Sequence, residues 1–365
     1  MRCRKRGEEG IVLIAFAIAA AIVIGALGMT IDLGRMHVVK TESQSFVDGV
    51  ALQAALELDG TRAGLDRAAG AAMQSTQKYD LGQYPYREVT TRFATGANGP
   101  WLDASAASPR SRFVRVTAIA RPRLFFLPVL VTFDRATVAS TAAAAQLEKS
   151  VFREGLFPFS PVAPLSNASV NPPFGLAPGK LYPLRWPAGS SLLNNGGRAS
   201  QLCSGDRAQP TPRRAAAHGG GAQGYIELGN AGAIRRAILN GSQSAARTIG
   251  GIIDFTGGDE QTMLDALQTR IRQDTDPSSL TYSQYANGAR GNGRRIVGVP
   301  INDGGATPGA KPRMIGAGAF FLRPAGEYGA GGDSAWCAEY IGSYVEGSAR
   351  KGAEDSGAWV VRLVQ

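Results

Sequence analysis

The sequence predicts an α+β protein in which an N-terminal transmembrane helix continues into an exported helix and a small sheet. A mixed, β-rich distal domain with long loops follows. Three observations predict this class: an uncharged apolar run at residues 11–31, apolar and polar alternation in residues 112–147, and 47 glycines and 20 prolines among 365 residues. Such a composition favours turns in part of the chain, and the length suits about two globular units.

The run Ile11–Ile31, IVLIAFAIAAAIVIGALGMTI, carries no charge. As a helix it would span about 31 Å at 1.5 Å per residue, which matches the hydrocarbon thickness of a bilayer. A helix also satisfies its own backbone polar groups, as lipid demands. The run is longer than the apolar part of a signal peptide, and no clear cleavage site follows it. We therefore expect an uncleaved membrane anchor, with a cleaved signal as the alternative.

A basic cluster precedes the anchor, and its members are Arg2, Arg4, Lys5 and Arg6. By the positive-inside rule this end stays in the cytoplasm and the rest of the chain is exported. Arg35 and Lys40 on the far flank weaken the asymmetry without reversing it. We expect a single pass through the inner (cytoplasmic) membrane, with most of the chain periplasmic or extracytoplasmic.

Four units follow from this topology. They are a cytoplasmic basic tail at 1–10, the anchor at 11–31, a membrane-proximal α+β domain at 32–150, and a distal Gly/Pro-rich mixed α/β domain at 151–365. The net charge of +10 comes from 39 basic and 29 acidic residues and is spread evenly between residues 1–150 and residues 151–365. A nucleic-acid-binding protein usually gathers its charge on one face, so we expect no nucleic-acid partner.

In the membrane-proximal domain, residues 32–79 show helical periodicity, with a second helix predicted from Ala63 to Tyr79. Residues 80–111 contain several glycines and prolines, which predicts a loop with one short strand around Val89. The strings RFVRVTAIA and ATVASTAAAAQL predict two strands. The run Leu124–Leu127 (LFFL) between them is expected in the core, and a patch resting on the membrane surface is the alternative.

The distal part mixes both types of element. Helices are predicted at 231–239 and 260–272, because apolar residues there recur on one face. Strands are predicted at 181–186, 294–301 and 315–322. The segments 335–345 and 359–364 are regular, and the sequence does not separate helix from strand there. Residues 200–222 are predicted to be an exposed loop.

The residues around the anchor resemble a known family. Ile31-Asp32-Leu33-Gly34-Arg35 follows the apolar run, and SQSFVDGVALQAAL follows at residues 43–56. This pattern resembles the TadE/TadG-like proteins of the tight adherence (Tad, Flp-type) pilus-assembly system. The positions that match are Asp32, Gly34, Gln44 and Asp48. The resemblance covers residues 1–60 well, 112–147 fairly and the remainder loosely.

The resemblance implies a membrane-anchored, non-enzymatic component of a pilus-assembly or secretion system. Such a protein acts through its exported domain by contacts with other pilus-assembly or envelope proteins, and it touches the lipid bilayer through one helix. The alternative is an anchored cell-envelope hydrolase, or a polysaccharide- or solute-binding protein, without a recognisable motif. The binding alternative requires an aromatic groove formed by Tyr182, Trp186, Trp336 and Tyr340, whereas we expect these rings in the core.

Chemical motifs are scarce. The string Gly219–Gly224 fits GxGxxG, but no strand precedes it, so a flexible loop is favoured over a phosphate site. The only histidines are His37 and His218. Asp259 and Glu260 suit a helix start, and calcium binding by Asp254, Asp259 and Asp303 stays open. We predict no enzymatic activity, no cofactor and no metal.

The cysteines divide by compartment. Cys3 would face the reducing cytoplasm, whereas Cys203 and Cys337 would face an oxidising compartment that permits disulfides. These two allow only one intramolecular bond. The sequence leaves open whether they pair, because it gives no distance between them.

Overall fold

The computed structural model describes residues 8–75, 77–129, 134–165, 173–185, 203, 224–241, 245–256, 260–288, 291–305, 310–329 and 335–364. A mixed α+β chain with a long N-terminal apolar helix and β-rich sheets is confirmed. The α-helices described are α1 Glu8–Glu57, α2 Arg62–Gln74, α3 Ala231–Asn240, α4 Glu260–Arg272 and α5 Tyr282–Asn287. Short 3-10 turns lie at Leu127–Val129, Pro173–Gly175 and Ala325–Glu327.

The strands described are β1 Lys78–Tyr79, β2 Tyr84–Pro85, β3 Glu88–Ala94, β4 Phe113–Ala120, β5 Val138–Glu148, β6 Val151–Phe152, β7 Leu181–Arg185, β8 Tyr225–Ile226, β9 Arg247–Thr248, β10 Phe255–Thr256, β11 Ile296–Asn302, β12 Met314–Leu322, β13 Trp336–Gly342, β14 Tyr344–Val345 and β15 Ala358–Val364. They form a five-stranded sheet, a four-stranded sheet and three two-stranded ribbons.

Helix α1 is a single helix of 50 residues, about 75 Å long at 1.5 Å per residue. Its two halves differ in burial. From Val12 to Ile31 the large apolar side chains are exposed, with Phe16 at 74%. Beyond that point the helix buries one face, which includes Val39, Val47 and Val50. By length and composition the exposed half is able to cross a membrane, and the chain is therefore compatible with a single-pass membrane protein.

The five-stranded sheet, called here the proximal sheet, has the order β14-β15-β5-β4-β3. Helices α1 and α2 cover one face. Strand β4 buries Val114, Val116 and Ala118 completely, and the residues between them are half-buried. This is the period-2 pattern of a strand with one face in the core. Alanines on both partners, such as Ala54 on α1 and Ala144 on β5, are buried at this interface and let helix and sheet approach closely.

The four-stranded sheet, called here the distal sheet, is antiparallel with the order β11-β12-β13-β7. Strands β11 and β13 are buried along their whole length, so they read as continuous apolar runs without alternation. The predicted strands in this region are confirmed, as are the helices α3 and α4. The segments 335–345 and 359–364, which the sequence did not assign, are strands.

The last described strand departs from the predicted domain division. The sequence assigned 151–365 to a distal domain, whereas β15 lies in the proximal sheet and pairs antiparallel with β5, from Trp359↔Glu148 to Val364↔Ala143. The chain passes between the sheets where β13 ends and β14 begins. Gly342 at this corner has φ +126°, a backbone region that favours glycine.

One prediction between α1 and β4 was wrong. Helix α2 ends at Gln74, and Tyr79 instead pairs with Tyr84 in the β1–β2 hairpin. The strand predicted around Val89 is confirmed as β3, which has seven residues. This strand is at the edge of the proximal sheet and is only partly buried. Its polar side chains therefore hide the alternation that marks an inner strand.

The end of α1 is held by a side chain of the proximal sheet. The last carbonyls of a helix have no intrahelical donor. The Gln146 side-chain amide on β5 donates to the carbonyl oxygens of Ala55 and Leu58, each at 2.8 Å. Its oxygen accepts the Ala353 N–H at 3.0 Å. Gln146 thus joins the end of α1 to the proximal sheet and to the segment at Ala353 that leads into β15.

Replacing Gln146 by leucine is expected to lower the free energy of unfolding by about 2–4 kcal/mol, because three hydrogen bonds of roughly 0.5–1.5 kcal/mol each are lost. Denaturant unfolding of the full chain in detergent micelles measures it. Gln53→Leu, at an exposed position of α1, is the matched control. Equal unfolding midpoints for the two variants would contradict the capping role.

Candidate functional site at the end of the apolar helix

Asp32 is the first charged residue after the apolar run, and it is 1% exposed. Its carboxylate accepts three backbone N–H groups, from Phe125 at 2.9 Å and from Phe126 and Leu127 at 2.8 Å each. These belong to residues 124–129, called here the Phe loop, which connect β4 toward β5. The carboxylate caps the start of the 3-10 turn Leu127–Val129, in the way that an acidic side chain caps a helix.

The surroundings of Asp32 keep it charged. Burial raises the pKa of this carboxyl, but the three N–H donors and the Arg35 guanidinium outweigh burial, so the pKa lies below the usual value. A lowered pKa in the folded state means that the contact contributes stability at neutral pH and loses it as the pH falls through the folded pKa. The junction between helix and loop is therefore stable at physiological pH.

Gly28 lies one turn before Asp32 and lets the Phe loop reach the helix. A Cβ at this position would stand 2.5 Å from the Cβ and Cγ atoms of Phe126. Such a separation is far below van der Waals contact, so any larger side chain would push the loop away. Close approach is one of the reasons for glycine within a regular element.

Arg35, one turn after Asp32 on α1, binds two further segments. Its guanidinium forms an ion pair with Asp80 at 2.6 Å and lies over the Phe125 ring at 4.5 Å. It also donates to the Arg123 carbonyl oxygen at 3.4 Å. The first two turns after the apolar run thus fix both the Phe loop and the β1–β2 hairpin.

The Gln44 and Asp48 positions lie further along α1 and face the proximal sheet. The Gln44 amide donates to the Asp48 carboxylate at 2.8 Å and to the Thr141 carbonyl oxygen at 3.3 Å. Together with Arg115 and Leu363 they line an open groove of about 460 Å³ between α1 and the sheet. We call it the Gln44 groove. It is a surface that a partner side chain is able to enter.

The structure places the other predicted residues as follows. Gly34 lies on the exposed face of α1, where an added Cβ would meet no atom within 4 Å. Ile31 at the end of the predicted anchor is 51% exposed, and Ile11 lies within α1. The basic cluster Arg2, Arg4, Lys5 and Arg6 lies outside the described residues. Asp32, Gln44 and Asp48 therefore face the sheet domain, whereas Gly34 does not.

A disulfide joins Cys203 and Cys337, whose Cα atoms are 5.9 Å apart and whose positions differ by 134 in sequence. Both are buried and pack with Leu181. Cys337 belongs to β13 and Leu181 to β7, so the bond attaches the segment around Cys203 to the distal sheet.

Two of the three candidate calcium ligands, Asp254 and Asp303, bind other groups of the protein. Asp254 forms an ion pair with Lys311 at 2.7 Å, and Asp303 accepts the N–H groups of Gly305 and Arg313 at 2.9 Å. Asp259, His218 and the glycine string at 219–224 lie outside the described residues, apart from Gly224 at its end. Among the residues that are described, no group of three or more His, Cys, Asp or Glu side chains is placed to hold a metal ion.

Three of the four aromatic residues proposed for a ligand groove are buried. Tyr182 is 2% exposed, and Trp336 and Tyr340 are 1% exposed; Trp186 lies outside the described residues. The rings of Tyr182 and Tyr340 meet edge to face at 6.4 Å, a geometry typical of aromatic packing. These three are core residues, as expected from the sequence.

The prediction that the LFFL run is buried was wrong for its two aromatic members. Leu124 is buried, but Phe125 is 54% and Phe126 39% exposed. Sequence reasoning also missed the roles of Gly28 and Arg35. One feature of the sequence pointed toward this site. Two adjacent aromatic residues lie between two predicted strands of the domain that follows the predicted anchor. The sequence did not show that this connection folds back to the anchor.

No protein-family model, curated protein or solved structure matches the chain.

Proposed function

We propose that the chain is a membrane-anchored, non-enzymatic component of a Tad/Flp-type pilus-assembly (secretion) system. In this proposal the exposed apolar half of α1 crosses the inner membrane, with its basic N-terminus in the cytoplasm. The sheets and the second half of α1 lie on the exported side and act by protein–protein contact. The sequence pattern from residue 31 to 56 supports the assignment to this family.

One structural observation carries the mechanical part of the proposal. The 50-residue helix α1 continues without interruption from the exposed apolar half into the core of the proximal sheet. Asp32 and Arg35 attach the domain to the helix immediately after the apolar run. An anchor and an exported domain joined in this way are connected by a continuous helix and by side-chain contacts, which suits a structural part of an envelope assembly.

The Gln44 groove is the proposed contact surface for another assembly component. It contains two of the family-like positions, Gln44 and Asp48, and is open to solvent. A partner with a donor and a small apolar group would match the Asp48 carboxylate and the exposed Leu363, which is 45% accessible.

Deleting the gene is expected to abolish surface pili, and the full chain supplied in trans is expected to restore them. Electron microscopy and sheared-pilin immunoblots measure piliation. A Gln44→Ala/Asp48→Ala variant is expected to restore less than about a tenth of the parent level, whereas Gln53→Ala at an exposed position of α1 restores it fully. Equal membrane levels of both variants must be shown by immunoblot.

Wild-type piliation after deletion would refute the pilus assignment and favour the alternative, an anchored hydrolase or solute-binding protein. Full piliation with the double variant, together with loss on deletion, would refute only the Gln44 groove as the contact surface.

A further inference from the structure

The Phe loop presents two aromatic rings at the end of the apolar half of α1. Phe125 is 54% and Phe126 39% exposed, while the loop backbone is fixed to Asp32 by three hydrogen bonds. Phe126 packs against the Gly28 backbone, which is three residues inside the apolar run. Two large rings held beside a lipid-facing helix would be exposed to the bilayer and not to water.

Four exposed arginines lie near the base of the Phe loop, which is called here its stem. They are Arg87, Arg121, Arg123 and Arg135. Arg123 and Arg135 face each other in an antiparallel bridge. None of the four forms an ion pair with a carboxylate of the described residues. A polar cavity of about 550 Å³ lies beside them, and its lining includes Tyr79, Tyr84, Tyr86, Arg87, Arg121 and Arg135.

The heights of these groups along α1 correspond to the layers of a bilayer. Arg35, which contacts the Arg123 carbonyl oxygen, follows Ile31 by about 6 Å along the axis at 1.5 Å per residue. The headgroup region adds roughly 5–8 Å to each side of the hydrocarbon core. Arg35 and the Arg123 backbone beside it are thus level with the lipid phosphates, while Phe126, beside Gly28, is level with the edge of the acyl chains.

We infer that the Phe loop and the arginines at its stem form a membrane-binding foot for anionic phospholipids of the exported leaflet. This inference rests on the proposed membrane anchor. The rings of Phe125 and Phe126 insert at the interface, where aromatic side chains are favoured. Guanidinium groups bind phosphate oxygens in paired hydrogen bonds. The foot holds the proximal sheet against the bilayer and limits tilting of the exported domain.

Charge complementarity favours an anionic phospholipid headgroup in the cavity beside the Phe loop. The described lining of the cavity holds three arginines and no carboxylate, and the nearby Asp32 is buried and fully hydrogen-bonded to the loop. The arginines of the lining therefore attract an anionic headgroup, while the exposed Glu88 and Asp134, which are next to Arg87 and Arg135 in the sequence, reduce the net positive charge around it. The proposed anchor also holds the foot at the membrane surface. The effective concentration of lipid phosphate at the foot is therefore high.

The insertion is tested with the full chain reconstituted into phosphatidylcholine vesicles whose acyl chains carry bromine near the glycerol end. Bromine quenches tryptophan emission on contact. In a Phe125→Trp variant, the emission added to that of the parent is expected to fall at least twofold in brominated vesicles. In the control Leu280→Trp, at an exposed distal position, the added emission is expected to be unchanged.

Headgroup preference is tested on the Phe125→Trp background by placing bromine on phosphatidylglycerol or on phosphatidylcholine in equal mixtures. Because one basic residue near an anionic surface contributes about 1 kcal/mol, which is about fivefold, quenching is expected to show about fivefold enrichment of phosphatidylglycerol. Replacing Arg121, Arg123 and Arg135 by glutamine is expected to abolish this enrichment. The same charge change at the exposed Arg153, Arg235 and Arg236 is expected to leave it intact.

Flotation of the parent with carbonate-washed vesicles separates this inference from the proposed anchor. A chain that floats but shows no added quenching at residue 125 refutes the foot and leaves the anchor standing. A chain that does not float refutes both. Equal quenching by the two lipids refutes the headgroup preference, and loss of the preference in millimolar inorganic phosphate assigns the arginines to a soluble anion instead.

Discussion

Replacing Asp32 by alanine is expected to release the Phe loop from α1. The substitution removes one acceptor from three backbone N–H groups. Because a hydrogen bond to a charged group contributes roughly 1.5–3 kcal/mol, the docked loop is expected to lose about 5–9 kcal/mol for the three bonds together. Hydrogen–deuterium exchange of the full chain in lipid nanodiscs measures this, and the amides of residues 125–127 are expected to exchange at least about 100-fold faster.

The exposed Asp66 on α2 provides the control, since Asp66→Ala removes a carboxylate from the same domain without touching the loop. Exchange in the strands β4 and β5 is expected to stay as in the parent, because their ladder hydrogen bonds do not involve Asp32. Slow exchange of residues 125–127 in Asp32→Ala would show that the loop is held by Gly28 packing and Arg35 without the carboxylate.

Acid should reproduce the effect of the substitution in the parent chain. The pKa of Asp32 is lowered in the folded state, so the loop stays docked above the ordinary carboxyl range and is released only as the pH falls below it. A loop that opens already near neutral pH would contradict the three-donor geometry.

The sequence predicted the features that depend on local pattern. The charge-free run that ends at Ile31 and the apolar residues on one face of α4 can both be recognised within a short stretch of sequence. Both form helices at the predicted positions. Strand β4 can also be recognised from its own residues, because a strand with one buried face alternates apolar and polar side chains. These features require no knowledge of what lies opposite.

The features that sequence reasoning missed depend on contacts between distant segments. Asp32 meets donors 93–95 residues away, and β15 pairs with a strand more than two hundred residues earlier. Nothing in the string LFFL distinguishes a buried run from one that lies beside an exposed apolar helix, because both are apolar. Phe125 and Phe126 were assigned to the core on composition alone, and only the position of the loop beside Gly28 corrects this.

Removing the disulfide is expected to lower the free energy of unfolding by up to about 5 kcal/mol, because the bond closes a loop of 134 residues and thereby lowers the entropy of the unfolded chain. For Cys203→Ser the unfolding midpoint is expected to fall by about 10 °C or more. Thermal unfolding of the full chain in detergent, followed by circular dichroism, measures the shift.

The pattern of variants distinguishes the bond from simple packing of two buried thiols. If the two sulfurs are bonded, then Cys203→Ser, Cys337→Ser and the double variant share one loss, since each removes the same cross-link. Reductant is expected to lower the parent's midpoint to the same value and to slow its migration in gel electrophoresis. Cys3→Ser is expected to change neither. A double variant whose loss is the sum of the single losses would show independent packing contributions and no bond.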